Sequence, residues 1–415
     1  MMNLRNEAVQ ILQGIYLKGS FSNLSLRSLG KKYSSENTAY ISQLVYGTLK
    51  RDLFVRDQWM RYVKKAPSEK LAVLLDCATY ELLFMNSPHY AVINEAVEIA
   101  KHTSHASQAS FVNSVLRKIC ANGVQEVQAT SEDERLSLTY SMPLWIVKLW
   151  KKQYGEETML RILESTQRNS RQYLRVNTLK VSVEELLKLD EKFLFYKEDA
   201  VTYEGNYIRS RWFQEGYIFP QDYHSQCVSR LTSYTAEDSV LDLCAAPGSK
   251  TFHMSALMQN QGSITAVDLY PKRTELIEKG AQKAGCTNIR TLSCDGREIA
   301  KYLPQHSFDK VFVDAPCSGL GVLRHKPEIK RSVTPASLDE IQKIQSELLD
   351  AASEMVKEGG ELIYSTCTLN TKENEKQAEA FLERHPEYIL VKKQTLFPFE
   401  DEADGFFMVK LQKVQ

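Results

Sequence analysis

Apolar positions in the first 125 residues recur three and four apart. Ala8, Ile11, Leu12, Ile15 and Tyr16 fall on one stripe of a helix. The same spacing returns at Ile41, Leu44, Val45 and Leu49, across 71–85 and across 91–100, with short polar spacers such as Asn86-Ser-Pro88 between. The pattern predicts a helical bundle with its own core, closing near Asn122-Gly123. From about 128 to 235 the pattern is mixed. Residues 143–154 read as a helix, 173–178 as a strand, and Ser182 followed by Glu185 as a capping box opening a short helix. From 239 onward, short apolar runs alternate with amphipathic stretches. The runs 239–243, 264–267, 288–293, 310–313 and 361–364 read as strands; 271–284 and 335–357 read as helices, the second with Thr334 as cap and Pro335 at its first position. A last run, 406–411, is expected to supply an edge strand. Strands apolar throughout and joined by helices specify a parallel sheet covered on both faces. Three parts are expected: 1–127, 128–235 and 236–415.

Length and charge refine this picture. A chain of 415 residues exceeds one typical domain, and 43% hydrophobic residues suffice for several cores. Lys+Arg and Asp+Glu are both 52, yet the charge is uneven. Residues 1–127 hold 15 basic against 10 acidic side chains, and the remainder 37 against 42. That excludes a polycation and leaves a mildly basic N-terminal part suited to nucleic-acid phosphates. The longest apolar runs are about five residues, far below the roughly 18 needed to cross a bilayer. The spaced apolar residues of 1–21 do not read as a signal peptide. The eight cysteines are scattered without a CxxC pair, so they read as reduced thiols of a soluble, cytoplasmic protein.

The candidate chemistry lies at strand ends, where open α/β sheets bind ligands. The first strand runs into Cys244-Ala-Ala-Pro-Gly-Ser-Lys250, whose small residues let a ligand approach the backbone. The second ends at Asp268, twenty residues beyond Gly248, where an acid can accept from ribose hydroxyls. The third ends at Asp295 and the fourth at Asp314-Ala-Pro-Cys-Ser-Gly319. The loop lacks both GxxxxGK[ST] and GxGxxG, which disfavours an NTPase or a dinucleotide enzyme and favours S-adenosylmethionine. Cys317 and Cys367, in Ser365-Thr-Cys-Thr368, both follow strands. A single cysteine is most often a small buried hydrophobe; two at neighbouring strand ends suggest one pocket. Neither His102 nor His105 has a ligand partner at metal spacing, and no metal is expected. Two thiols suit methylation of cytosine C5, where one adds to C6 to make C5 nucleophilic and Asp314 can meet charge developing near N3. The chemistry alone does not choose between the cysteines.

Leu243-Cys-Ala-Ala-Pro-Gly-Ser-Lys-Thr251, Val313-Asp-Ala-Pro-Cys-Ser-Gly319 and Tyr364-Ser-Thr-Cys-Thr368 resemble the motifs of the RNA cytosine-5 methyltransferases, the Nop2/Sun/Fmu family. The resemblance runs from Arg175-Val-Asn177 through Gln221-Asp222 and Ser225-Gln226 to Asp404-Gly-Phe-Phe407. Tyr90-Ala-Val-Ile-Asn-Glu-Ala-Val-Glu-Ile-Ala-Lys101 and Phe111-Val-Asn-Ser-Val-Leu-Arg-Lys118 resemble a NusB-type RNA-binding domain, a fusion similar to the bacterial small-subunit enzymes of the family. The resemblance implies a Rossmann-like α/β methyltransferase, doubly wound around a mostly parallel seven-stranded sheet. An all-α NusB-like bundle and a small α+β linking part would precede it. It implies a monomer acting on 16S ribosomal RNA at the 967-type cytosine, single-stranded or in a loop, with no membrane association. S-adenosylmethionine would be the cofactor and S-adenosylhomocysteine its product. Cys244, Ala245, Ala246, Pro247, Gly248, Ser249, Lys250, Asp268, Arg273, Asp295 and Asp314 would hold the cofactor. Cys367 would be the nucleophile and Cys317 would assist product release, with Asp314 also at the reacting ring. A transfer-RNA cytosine-5 methyltransferase and a non-catalytic antitermination factor are the competing readings. The family loop commonly has glycine where Ser249 stands, and a left-handed backbone there would cost about 1 kcal/mol. The aromatic and basic residues of 209–223 fit RNA stacking and a half-buried strand rim equally.

Overall fold

The computed structural model describes residues 4–103, 106–168 and 171–414, so His105 lies outside the described residues. The chain folds into two compact units: Met1–Asn169 with Leu323–Ser332, and Ser170–Val322 with Val333–Gln415.

The first unit is helical. Its central helix, Glu69–Phe84, is apolar all round over Leu-Ala-Val-Leu-Leu and is buried on every side, as such a helix must be. The helices Leu4–Lys18, Ser35–Lys50, His89–Thr103 and Ala106–Asn122 pack their stripes against it. The last of these ends at Asn122, while the compact unit runs on to Asn169. Two acids inside this core have partners. Asp76 accepts from Trp59 Nε1 at 2.7 Å and pairs with Arg56 at 2.6 Å, and Glu81 pairs with Arg5 at 2.7 Å. Three further helices, Glu132–Thr139, Leu144–Tyr154 and Glu156–Gln167, complete the unit. So does the excursion Leu323–Ser332, which begins six residues after Cys317. Lys330 in it is buried and pairs with buried Asp52 at 2.8 Å, joined by Arg331 at 2.9 Å. Glu328 accepts from the backbone and hydroxyl of Ser22 at 3.1 and 2.8 Å.

The second unit carries two sheets. The smaller consists of β1 (Leu174–Val176), β2 (Phe193–Lys197), β3 (Ala200–Tyr203) and β4 (Ile218–Pro220), antiparallel in the order β2-β3-β1-β4. Helix Val183–Leu189 opens with the predicted Ser182–Glu185 capping box. The aromatic segment 209–223 resolves in favour of packing. Trp212 and Phe219 are buried, Trp212 Nε1 donates to Asp190 at 2.9 Å, and Phe213 and Tyr217 line the same core.

The larger sheet comprises β5 (Ser239–Asp242), β6 (Ser263–Asp268), β7 (Ile289–Ser293), β8 (Phe308–Asp314), β9 (Val356–Thr366), β10 (Tyr388–Leu396) and β11 (Phe406–Lys413). Its order is β10-β11-β9-β8-β5-β6-β7, parallel from β9 to β7 and antiparallel at β11 and β10. Two expectations are corrected. β11 is not an edge strand: it lies between β9 and β10, its Phe406-Phe-Met-Val409 fully covered. The edge is β10, whose Lys392-Lys-Gln394 centre is exposed and polar, a composition that discourages further strand pairing. The helix expected over 335–357 ends at Ser353, because Val356 is buried in register with Phe308 and already belongs to β9.

Candidate active site

The chain lays down β5, β6 and β7 in one direction, then crosses to place β8 and β9 on the other side of β5. The reversal between β5 and β8 opens a crevice at their carboxyl ends. The loop leaving β5 turns at Gly248, which has φ of +103°. A Cβ there would come within 2.3 Å of the Phe252 ring, so glycine is required on both counts. Ser249 is the first residue of helix Ser249–Leu257, with helical rather than left-handed backbone. The cost anticipated at that position therefore falls on Gly248 and is already met.

Lys250 reaches across the reversal and pairs with Asp314 of β8 at 2.7 Å. The other Asp314 oxygen accepts from Ser365 Oγ of β9 at 2.9 Å. Burial alone would lower the Lys250 ammonium, but Asp314 outweighs it and holds the group above the usual lysine range. From the same strand ends come Cys317 and Cys367, whose Sγ atoms lie 3.3 Å apart. The hydrogen bond to Cys367, with burial, raises the Cys317 thiol well above an ordinary cysteine, so Cys317 keeps its proton. The two loops also touch through backbone. Gly321 N–H donates to the Cys367 carbonyl at 3.1 Å, and a Cβ on Gly321 would lie 2.1 Å from the Gly405 carbonyl.

The remaining acids stand on the other side of the loop. Asp268, nearly buried at the end of β6, accepts from the backbone N–H groups of Ala246 and Tyr270, each at 3.3 Å. Arg273 pairs with Asp268 at 3.4 Å and donates to the Ala246 carbonyl at 3.0 Å, tying the loop to β6. Ala245 N–H donates to Val267 O at 2.9 Å. Asp295, at the end of β7, is engaged by Arg297 at 2.6 Å, which holds its carboxyl below the usual range. Cys244, at the start of the loop, is a half-buried thiol raised above the ordinary cysteine range by desolvation. Lys250, Asp314, Cys317 and Cys367 thus converge on one side of the loop. Asp268, Arg273 and Ala246 form a second group, and Asp295 stands beside it.

Several residues at the site escaped sequence reasoning. Asp242, the last residue of β5, accepts from Thr251 Oγ1 at 2.7 Å; burial pushes its carboxyl up to about 7. A lone acid inside an apolar strand was the available signal. Ser365 offered none, since it acts through a contact distant in sequence.

Comparison with known proteins accords with this geometry. The sequence model described as "16S rRNA methyltransferase RsmB/F" matches residues 231–412, the NusB family model matches 2–121, and an RsmF/B-like ferredoxin-like domain matches 142–200. The chain is 34% identical to a "probable ribosomal RNA small subunit methyltransferase B" of Bacillus subtilis, covering 99% of both chains. It is 29% identical to the protein of the same description from Synechocystis, over the full length of both. Among solved structures, PH0851 superposes with a TM-score of 0.83 at 25% identity, covering 100% of this chain and 99% of the other.

Proposed function

This chain belongs to the 16S rRNA methyltransferase RsmB/F family, and on that premise we propose that it methylates C5 of one cytosine of 16S ribosomal RNA, the 967-type site, using S-adenosylmethionine. The observation that carries the reading is the pair of thiols leaving adjacent parallel strands and meeting at 3.3 Å. Methylating a ring nitrogen or an amino group needs no thiol, because those atoms carry their own lone pairs. C5 of cytosine does not, and becomes nucleophilic only after a group adds to C6.

S-adenosylmethionine, when bound, supplies an electrophilic methyl group. The residues present fit it: the loop from Cys244 to Gly248 offers small side chains and backbone, and nearly buried Asp268 can accept ribose hydroxyls. Asp295 is assigned to the adenine edge. Cys367 is assigned the attack, its sulfur bonding to C6 as the C5–C6 electron pair shifts toward C5. Asp314, fixed from both sides by Lys250 and Ser365, is assigned to the N3 edge, where ring charge develops. Once C5 carries the methyl group its proton passes to a general base, the C5–C6 double bond re-forms from that electron pair and the Cys367 sulfur leaves as thiolate. Cys317, protonated and within proton-transfer distance of that sulfur, is assigned to the release. The base must leave any stack to reach both thiols, at a cost of a few kcal/mol, so an unpaired cytosine is the expected target.

The test pairs two variants with the native protein, each incubated with 16S RNA, transfer RNA and methyl-labelled cofactor. Cys367→Ala should give neither labelled C5 nor a covalent adduct. Cys317→Ala should accumulate a protein–RNA conjugate that survives a denaturing gel. A conjugate in Cys367→Ala instead would reverse the roles, and label appearing only on transfer RNA would remove 16S RNA as the substrate.

A further inference from the structure

We propose that Glu373 is a positioning residue for the two thiols, a buried carboxylate that locks the Cys317 loop to the Cys367 loop. The proposal rests on the thiol chemistry above but is argued from a separate set of contacts. Glu373 is fully buried, six residues after Cys367. Four donors converge on its carboxylate. Oε1 accepts from Ser318 Oγ at 2.5 Å and from Asn370 Nδ2 at 2.9 Å. Oε2 accepts from Ser318 N–H at 2.8 Å and from Gln345 Nε2 at 3.1 Å. Two of the four come from the residue next to Cys317, one from the loop after Cys367, and one from helix Pro335–Ser353.

The same cluster repeats the tie twice more. Thr368, next to Cys367, accepts from Leu320 N–H at 3.1 Å and shares a hydroxyl hydrogen bond with Ser318 at 2.7 Å. Gln345 Nε2 also donates to the Pro316 carbonyl at 2.9 Å, so the residues on both sides of Cys317 are held. The backbone carbonyl of Glu373 accepts from Tyr364 Oη at 2.6 Å, anchoring the acid to β9. Beyond the strand pairing and the Gly321–Cys367 backbone hydrogen bond, this cluster is what ties the Cys317 loop to the Cys367 loop on the side-chain level.

Chemistry explains why the anchor is an acid. A carboxylate is acceptor-only and can take two donors on each oxygen. Glutamine has the same shape but turns one oxygen into an NH2 group. Either orientation then sets that group against two of the four donors, and a buried donor facing a donor is costly. The sequence around Glu373 (Asn370-Thr-Lys-Glu-Asn-Glu375) reads as a solvated polar loop, which is why the role is invisible before folding.

Glu373→Gln in the full-length protein should slow single-turnover methyl transfer by about 100-fold, the scale expected for a misplacement of around 1 Å. Calorimetric affinity for S-adenosylmethionine, and RNA affinity, should stay within about threefold. A second measurement needs no methyl transfer. The aromatic disulfide dithiodipyridine oxidises two apposed thiols: one sulfur displaces a pyridinethione, the other displaces the second, and the protein gains a disulfide while the reagent takes up the two electrons. Mass spectrometry of a digest reads the Cys317–Cys367 link. Native protein should link these two rapidly, whereas Glu373→Gln should do so at least tenfold more slowly. Ser318→Ala, which removes one donor only, should shift both rates in the same direction by several-fold, and it carries the test should Glu373→Gln fail to fold. Unchanged methylation and unchanged linking in the variants would overturn the proposal. If native protein methylates no cytosine yet linking is lost in Glu373→Gln, the methylation reading fails and the clamp stands.

Discussion

Individual side chains at this site are set by contacts rather than by type. The three acids at the ends of β5, β6 and β8 illustrate it: Asp242 is sealed in the core, Asp268 accepts backbone N–H groups, and Asp314 is paired with an ammonium. Asp242 yields a pH prediction. Burial, opposed by the Thr251 hydroxyl, keeps its proton up to about pH 7 in the folded chain, whereas the unfolded chain releases it near 3.8, the ordinary value of an aspartate. Between those values the folded state holds the extra proton. Its contribution to stability is fully present below about pH 4 and is lost as pH rises through about 7. Asp242→Asn, which can still accept from Thr251, should remove this decline. Thermal unfolding at pH 5, 6, 7 and 8 should give melting temperatures that change less with pH in Asp242→Asn than in the native chain. Identical pH profiles for the two would show that Asp242 titrates normally.

Elements divide into those that announce themselves and those that do not. Helices with an apolar stripe, such as Leu4–Lys18, and strands apolar throughout, such as β6 and β8, were legible because periodicity and continuous burial write themselves into sequence. β10 was missed, because an exposed edge strand needs no apolar pattern: its Lys392-Lys-Gln394 reads as coil. β11 was found, but its place in the sheet was not, since an apolar run reveals burial and not its neighbours. The excursion Leu323–Ser332 was likewise invisible, for its anchors Lys330 and Arg331 pair with Asp52, which in the case of Arg331 lies 279 residues away in sequence. Lys330 and Asp52 are both buried, and breaking a buried pair strands the remaining charge at a cost of about 3–5 kcal/mol. Asp52→Ala should therefore lower the denaturant midpoint of the helical unit markedly. Lys330→Met in the same background, which removes the more deeply buried of the two stranded cations, should recover much of the loss. A midpoint unmoved by Asp52→Ala would mean that the excursion is held by other contacts.

Across the whole molecule, the charge is neutral in sum and divided in place, with 15 basic against 10 acidic residues over 1–127. Lys64 and Lys65 are exposed at the end of helix Asp52–Met60, and Lys118 of helix Ala106–Asn122 lies over the Tyr62 ring at 5.8 Å. If these cations meet phosphate, Lys64→Glu with Lys65→Glu should weaken RNA binding and lower the slope of log affinity against log salt by about 2. Filter binding at several salt concentrations measures it, and an unchanged slope would clear this face of RNA contact. The sequence by itself determined the helical first part, the parallel sheet, the small-residue loop and the strand-end acids and thiols. Those features depend on local periodicity and on motifs confined to a few neighbouring residues. Tertiary structure alone decided that Cys317 and Cys367 meet at 3.3 Å, that Lys250 pairs with Asp314, that Ser249 escapes the left-handed turn, and that β10 closes the sheet. All but the local backbone of Ser249 are pairings between groups far apart in the chain. Such pairings are fixed by which strand lies beside which, and a one-dimensional pattern of apolar and polar residues carries no record of that choice.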